Sequence, residues 1–226
     1  MPHRRQKEII CGDLTFKIGA EAAMVGWDKE SAIGRSPGED ASEVGMRIIS
    51  GRAGGRPLKS PPGRKVRPTT DRVREALFSI LGDVTGAVVV DGFAGSGALG
   101  LEAISRGAKK GYFFDTSRSA VDTIRENVRR LKMDDHSVVR QCDFVQGLER
   151  VVDEEPDLWF LDPPYQTSLA QQALEAMSTC EEKVTEGALV VWESEKDEPL
   201  LEAPRFEVWR EKIYGRTRLV FFRCIA

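Results

Sequence analysis

Histidine is scarce in this chain of 226 residues, with His3 and His136 the only two, and they stand apart. Isolated imidazoles of this kind read as solvent-exposed side chains, so no histidine-built metal centre is expected. Cysteine is also sparse. Cys11, Cys142, Cys180 and Cys224 are far apart and form no Cys-x-x-Cys pair. That pattern argues against a zinc site and suits a reducing cytosol. No apolar run approaches the length that crosses a bilayer. Residues 1–45 have no apolar core of a secretory signal, and they carry too many acids for a transit peptide. No short internal repeat is present. What remains is a chain long enough for one sizeable α/β domain with an appendage. Its hydrophobic fraction of 41% is a little low for a globular protein and its charged fraction of 31% a little high.

The net charge of −3 hides an asymmetry. Residues 46–75 hold nine Lys or Arg against Asp71 and Glu75, a local +7, so the rest of the chain carries −10. A basic patch on an acidic body is the footprint of one polyanion-facing edge, and it is equally the footprint of a solvated basic loop.

Residues 1–45 lack clear periodicity, and Gly34 to Gly45 has linker composition. Ile9–Ile10 and Leu14–Ile18 are expected as a short strand pair. From Met46 the character changes. Arg47–Ser50 and Pro57–Lys59 flank a glycine-rich turn and predict a hairpin. Val73, Leu77, Ile80 and Leu81 recur at helical spacing, with Thr69 or Thr70 as the N-cap and Gly82 as the stop. The order then alternates. Strands are expected at 87–91, 110–115, 137–142, 157–161 and 187–193, and helices at 98–106, 117–131 and 168–177. A terminal hairpin pairs 205–212 with 217–222. Such alternation predicts a mostly parallel sheet with right-handed crossovers that ends in an antiparallel hairpin. Residues 46–82 are expected to pack as a basic segment on a catalytic domain of residues 83–226. Trp159, Trp192 and Trp209 are expected in the core.

Two stretches carry chemistry. The first strand runs from Val88–Val90 into Asp91, Gly92, Phe93, Ala94, Gly95, Ser96 and Gly97, and a helix follows. Strand, glycine loop and helix form a nucleotide-cofactor turn: glycines let the backbone approach the ligand and helix N–H groups point at it. Asp115 ends the next strand 24 positions after Asp91. An acid about 20 residues on can hold ribose hydroxyls. Gly95, Gly97 and Gly100 also fit a dinucleotide fingerprint, but Asp91 would face a pyrophosphate badly and suits a cofactor bearing an amine and a sulfonium. The second stretch is Asp162-Pro163-Pro164-Tyr165, at the end of a short apolar strand. Paired prolines stop the ladder and leave a stiff loop with bare carbonyls. The Asp162 carboxylate and the Pro163 carbonyl can accept both hydrogens of an exocyclic amine on a planar base, while Tyr165 stacks on the ring. Taken alone, the tetrapeptide reads as well as a turn with a core tyrosine.

The series Asp91, Asp115, Asp143 and Asp162, one acid per strand end, resembles the α/β, Rossmann-like fold of class I S-adenosylmethionine-dependent methyltransferases. Met46–Gly51, Arg67–Phe78, Phe93–Ala103 and Asp162–Tyr165 occur in that order. Together they resemble the bacterial 16S ribosomal RNA guanine-N2 methyltransferase family of the RsmD type, over residues 46–226. The Asp-Pro-Pro-Tyr block alone is shared with DNA adenine and cytosine enzymes. Gly92 stands where that family usually has a large apolar residue, and Asp115 where Glu is commoner. The family begins near Met46, so residues 1–45 are expected to be a flexible tail or an upstream start-site artefact. N-terminal sequencing of native protein separates the two.

The resemblance implies methyl transfer from S-adenosyl-L-methionine to the N2 amine of a guanine in 16S rRNA, free or in a small-subunit assembly intermediate. The cysteine and histidine pattern adds the expectation of a cytoplasmic protein with no metal, and nothing in the sequence calls for more than a monomer. The resemblance also implies a catalytic role for Asp162, Pro163 and Tyr165. Asp91, Phe93, Ala94, Gly95, Ser96 and Gly97 are expected around the methionine part, Asp115 at the ribose, and Asp143 and Phe144 at the adenine. Arg64, Lys65, Arg67, Arg72 and Arg74 are expected to meet rRNA phosphates, with Thr69 and Thr70 shaping the pocket entrance. Two rivals stand beside this reading: a DNA adenine or cytosine amino-methyltransferase, and a non-catalytic RNA-binding ribosome-assembly factor.

Overall fold

A seven-stranded sheet forms where the sequence alternates apolar β-branched runs with amphipathic helices. The computed structural model describes residues 6–11, 14–19, 45–62, 69–150 and 154–226, without side-chain detail for 6–11, 14–19, 69 and 70. The elements in chain order are β1 (Gln6–Cys11), β2 (Leu14–Gly19), α1 (Thr69–Leu81), β3 (Val88–Asp91), α2 (Ala98–Ser105), β4 (Lys110–Asp115) and α3 (Arg118–Leu131). They continue with β5 (Ser137–Gln141), α4 (Phe144–Arg150), β6 (Leu158–Leu161), α5 (Leu169–Ser178), β7 (Leu189–Glu195), β8 (Phe206–Tyr214) and β9 (Thr217–Cys224).

The main sheet has the order β5-β4-β3-β6-β7-β9-β8. Strands β3 to β7 pair in parallel, and β9 joins β7 and β8 antiparallel. The expected parallel sheet with an antiparallel end is therefore present. β1 and β2 form a separate antiparallel pair. Strands β3 and β6 are buried along their whole length, which is why both read as unbroken apolar runs rather than alternating ones.

Side-chain alternation divides the core between the two faces. Val88, Val90, Trp159, Leu161, Val190 and Trp192 pack with Phe144 and Leu148 of α4 and with Leu174 and Met177 of α5. Val89, Leu158, Phe160 and Val191 face Val73, Leu77, Phe78 and Leu81 of α1. A third cluster joins Ile48, Ala53 and Leu58 to Leu101, Ile104, Phe113, Ile124 and Val128. Trp159 and Trp192 are core residues as expected. Trp209 is half-buried, with its ring edge-on to Phe221.

The sequence reading differs from the structure at three places. The expected hairpin around Gly51–Gly55 closes by one isolated bridge, Arg47 to Pro57, with a 3-10 turn at Gly51–Ala53 between its arms. The arms are still bonded, Ile48 N–H to Arg56 O at 2.9 Å and Leu58 N–H to Met46 O at 2.7 Å. Helix α1 already includes Thr69 and Thr70, so neither is its cap. Helix α4, following Asp143, was not expected; its seven residues are too few for periodicity to register. In the main sheet, strand ends otherwise shift by at most two residues, the ordinary uncertainty of a boundary, and β1 begins three residues before the expected Ile9.

Candidate active site

The sheet order reverses at β3 and β6: from β3 the chain builds outward to β4 and β5, then crosses back to lay β6 on its other side. Loops leaving the carboxyl ends of β3 and β6 therefore diverge and leave a crevice, the place where open α/β sheets bind ligands. A cavity of about 290 Å³ lies there. Asp91, Phe93, Ala94 and Ser96 line it from the loop after β3, and Asp162, Pro163, Pro164 and Tyr165 from the loop after β6. The two stretches that carried the chemistry are thus brought together.

The loop after β3 is braced from several sides. Asp91 is 2% exposed, and its Oδ2 accepts the Gly100 N–H at 3.1 Å, in the first turn of α2. Gly97 holds a left-handed φ of 80° at the N-cap of α2, a conformation that a side chain would strain. Asp115 accepts the Gly95 N–H at 2.9 Å and the Ser117 N–H at 2.8 Å. It fixes the glycine loop from the next strand and lies outside the cavity wall. Asn127 of α3 donates to the Ser96 carbonyl at 2.9 Å.

Asp143 and Phe144 also sit beyond the cavity. Asp143 accepts the Gln146 N–H at 2.8 Å and so caps α4. Phe144 is buried, stacked on Phe93 with centroids 5.9 Å apart and planes 10° apart. The absence of a side chain at position 92 permits this: a Cβ on Gly92 would lie 2.5 Å from the Phe144 ring. The departure from the usual large apolar residue at 92 therefore makes room for Phe144.

Around the tetrapeptide, the Tyr165 hydroxyl donates to Glu193 Oε1 at 3.2 Å, and Thr167 donates to the Pro164 carbonyl at 2.7 Å. These bonds tie the loop to β7 and to its own turn. Glu193 lines the cavity too. In sheet order β5-β4-β3-β6 the carboxyl ends carry Asp143, Asp115, Asp91 and Asp162, and on β7 Glu193 joins them two residues before the strand ends. The sequence reading had only the first four. The missed signal was positional, because Glu193 follows the buried Trp192 as Asp162 follows Leu161, and those two pair across the ladder.

The segment before α1 also builds the cavity, which the sequence did not foretell. Met46, Ser60 and Pro61 line it with Leu77, Ala98 and Leu99. The Ser96 hydroxyl donates to the Met46 sulfur at 3.1 Å. The segment is clamped by Glu102, a carboxylate with no exposure. Glu102 accepts the Ile49 N–H at 2.7 Å, the Ser50 N–H at 3.0 Å and Arg106 Nε at 2.7 Å. Asn127 adds a pair of bonds to the Lys59 backbone, at 2.8 and 2.9 Å.

Of the cations expected at rRNA phosphates, Arg64, Lys65 and Arg67 lie outside the described residues, as do the side chains of Thr69 and Thr70. Arg72 is exposed on α1. Arg74 is a correction. It is 4% exposed, bonded to Asp71 at 2.8 Å and to the Arg47 carbonyl, with Glu102 4.0 Å away. Position 74 lies on the same helix face as Leu77, Phe78 and Leu81, so the guanidinium points inward, to the wall of the cavity and away from the outer surface of α1. Burial pushes its pKa down, and Asp71 and Glu102 oppose that shift. At the cavity wall Asp91, Asp162 and Glu193 face this one described guanidinium, already paired. An acid-lined cavity fits a cationic sulfonium and ammonium and disfavours a pyrophosphate. Asp91 and the loop from Phe93 to Gly97 thus fit the methionine part of S-adenosylmethionine.

Known proteins resemble this chain over the same span. A family model described as conserved hypothetical protein 95 matches residues 46–223. Ribosomal RNA small subunit methyltransferase D of Haemophilus influenzae is 36% identical over 178 residues, 75% of this chain and 89% of that protein. The protein of the same name from Escherichia coli K12 is 34% identical over 173 residues, 76% of this chain and 86% of that one. Among solved structures, a Haemophilus influenzae protein described provisionally as a methylase superposes with a TM-score of 0.65 at 31% identity. That match covers 80% of this chain and 99% of the other.

Proposed function

The chain belongs to the conserved hypothetical protein 95 family, with relatives named as ribosomal RNA methyltransferases, and on that premise we propose that it methylates the exocyclic N2 amine of a guanine in 16S rRNA, using S-adenosylmethionine. One observation carries the reading. A single crevice holds the buried Asp91 with its glycine loop on one wall and Asp162-Pro163-Pro164-Tyr165 on the other.

When bound, S-adenosylmethionine supplies an electrophilic methyl group on a sulfonium. Asp91 would hold its cationic end, and the backbone of Gly95 to Gly97 would approach it closely. Asp115, reached through the same loop, would meet the ribose. Asp143, exposed beyond β5, would meet the adenine, with Phe144 buried behind it against Phe93. On the substrate side the difficulty is the amine, whose lone pair is delocalised into the purine. Asp162 and the Pro163 carbonyl accept its two hydrogens, which favours a pyramidal nitrogen with a localised pair. Tyr165 stacks on a base taken out of the RNA. Both walls are loops leaving the carboxyl ends of two paired central strands, so the barrier would fall chiefly by positioning. Positive charge developing on the nitrogen is stabilised by fixed acceptors that need no reorganisation. As the nitrogen–carbon bond forms, the methyl–sulfur bond would break to leave a neutral thioether, and the proton would then pass to water in the open crevice.

The test is incubation with labelled S-adenosylmethionine and naked 16S rRNA, assembled small subunits or duplex DNA. Label should appear in rRNA as N2-methylguanosine, and only there. Cofactor binding without transfer to either RNA would overturn the proposal, and transfer to DNA would favour the amino-methyltransferase rival. Asp162→Ala should lower transfer about a hundredfold or more and leave cofactor affinity nearly unchanged. Equal loss of both would contradict its role.

A further inference from the structure

Glu193 has no part in the mechanism above, yet the register places it beside Asp162. Leu161 pairs with Trp192 across β6 and β7. The next residues, Asp162 and Glu193, therefore stand side by side at the carboxyl end of that ladder, on strands about 4.8 Å apart. Both line the cavity with Pro163 and Tyr165. The Tyr165 hydroxyl donates to Glu193 Oε1 at 3.2 Å, so the acid is tied to the ring that stacks on the base. An ionised carboxylate offers roughly four acceptor sites and no donor. The phenol fills one of these sites, and a carboxylate accepts several donors at once.

We propose that Glu193 reads the identity of the target base by accepting the ring N1–H of guanine, next to the N2 amine held by Asp162 and the Pro163 carbonyl. This rests on the guanine-N2 reading given above. Guanine presents two neighbouring donors on its Watson–Crick edge, N1–H and the N2 amine. Adenine sets its N6 amine beside an unprotonated N1, and cytosine sets its N4 amine beside an unprotonated N3. Two adjacent carboxylates match donor beside donor. Against either of the other bases, Glu193 would face a ring-nitrogen lone pair, acceptor against acceptor. Buried polar groups left unpaired in this way discriminate strongly. The tetrapeptide alone grips any base amine; the neighbouring acid on β7 supplies the choice. Glu193 is in this sense a specificity residue, and the Tyr165 bond holds it in register with the stacked ring.

The experiment uses the full chain and an rRNA carrying either guanine or 2-aminopurine at the position located by the transfer assay. 2-Aminopurine keeps the 2-amine and has an unprotonated N1. The unaltered protein should prefer guanine. Glu193→Gln turns one acceptor into an N–H donor. It should lower kcat/KM on guanine roughly ten- to a hundredfold and reduce the guanine preference by at least about tenfold, with cofactor affinity held. Glu193→Asp, still an acceptor, should keep the preference even with a lower rate. An unchanged preference in Glu193→Gln, whatever its rate, would overturn this inference and leave the guanine-N2 reading standing. Failure of the unaltered protein to methylate guanine would overturn both.

Discussion

Asp157 sits one residue before β6, and its Oδ2 accepts the Val88 N–H at 2.8 Å, linking the two strands that frame the crevice. Burial raises its carboxyl from 3.8 to about 6, with the backbone donors opposing the shift. A carboxyl that holds its proton more tightly when folded favours the folded state at low pH. That contribution is complete below 3.8 and lost as pH rises through about 6. At neutral pH the ionised group is therefore a liability of at most about 3 kcal/mol. Asp157→Asn keeps an acceptor for Val88 and removes the charge. It should be more stable than the parent in urea at pH 8, with the gain fading towards pH 4. An equal difference at both pH values would refute the burial account. Such a residue is not legible in sequence. Asp157 and Asp162 both flank the same apolar run, and only the pairing of β3 with β6 shows that one is structural while the other lines the cavity.

At the scale of elements, the segment 46–59 is held less by its own ladder than by α2. Glu102 satisfies two of its backbone donors and neutralises Arg106 within the same pocket. Glu102→Ala leaves those donors and guanidinium charge without their acceptor, and removing one partner of a buried pair costs about 3–5 kcal/mol. The expected readout is a lower urea midpoint together with new protease cleavage between Met46 and Lys59. A loss under about 1 kcal/mol would mean that the clamp is dispensable. The sequence showed Glu102 only as one acid in an apolar helix. Helical periodicity says which face is apolar, not whether an acid on that face finds donors from a distant segment. The strands, α1, α2, α3 and α5 were legible because their apolar patterns are long or unbroken. The hairpin at Arg47 was legible as a pairing but not in its reduction to one bridge, and the short α4 was not legible, because tertiary contacts set both.

For the whole molecule, the separation of charge is the governing feature. The +7 segment and the −10 remainder put attraction for a polyanion in one stretch of the chain and repulsion in the rest. Arg72 is exposed on α1 and Arg74, two residues on, is buried, so their substitutions should separate cleanly. Arg72→Glu should weaken rRNA binding and reduce the slope of log affinity against log salt by about one, with stability unchanged. Arg74→Gln should cost stability and leave that slope alone. If Arg74→Gln instead changed the slope, the inward placement of its guanidinium would be wrong. Composition announced the basic stretch, but it could not say which side chains face outward. Asp91 and Asp162 were legible as candidate residues, and both line the cavity, because each stands at the end of a buried strand beside a loop of special backbone chemistry. Glu193 was not, because β7 continues two residues past it and nothing local marks it as an end.

The pairing of Leu161 with Trp192 also acts as a safeguard against error. Side chains alternate along a strand, so sliding β7 by one residue against β6 would exchange the faces of Trp192 and Glu193. The indole would enter the cavity and the carboxylate would enter the apolar layer under α4 and α5. A chain with a corrupted binding crevice would therefore also have a corrupted core. Such a molecule would betray itself to proteolysis before it could act as a sound-looking but indiscriminate catalyst.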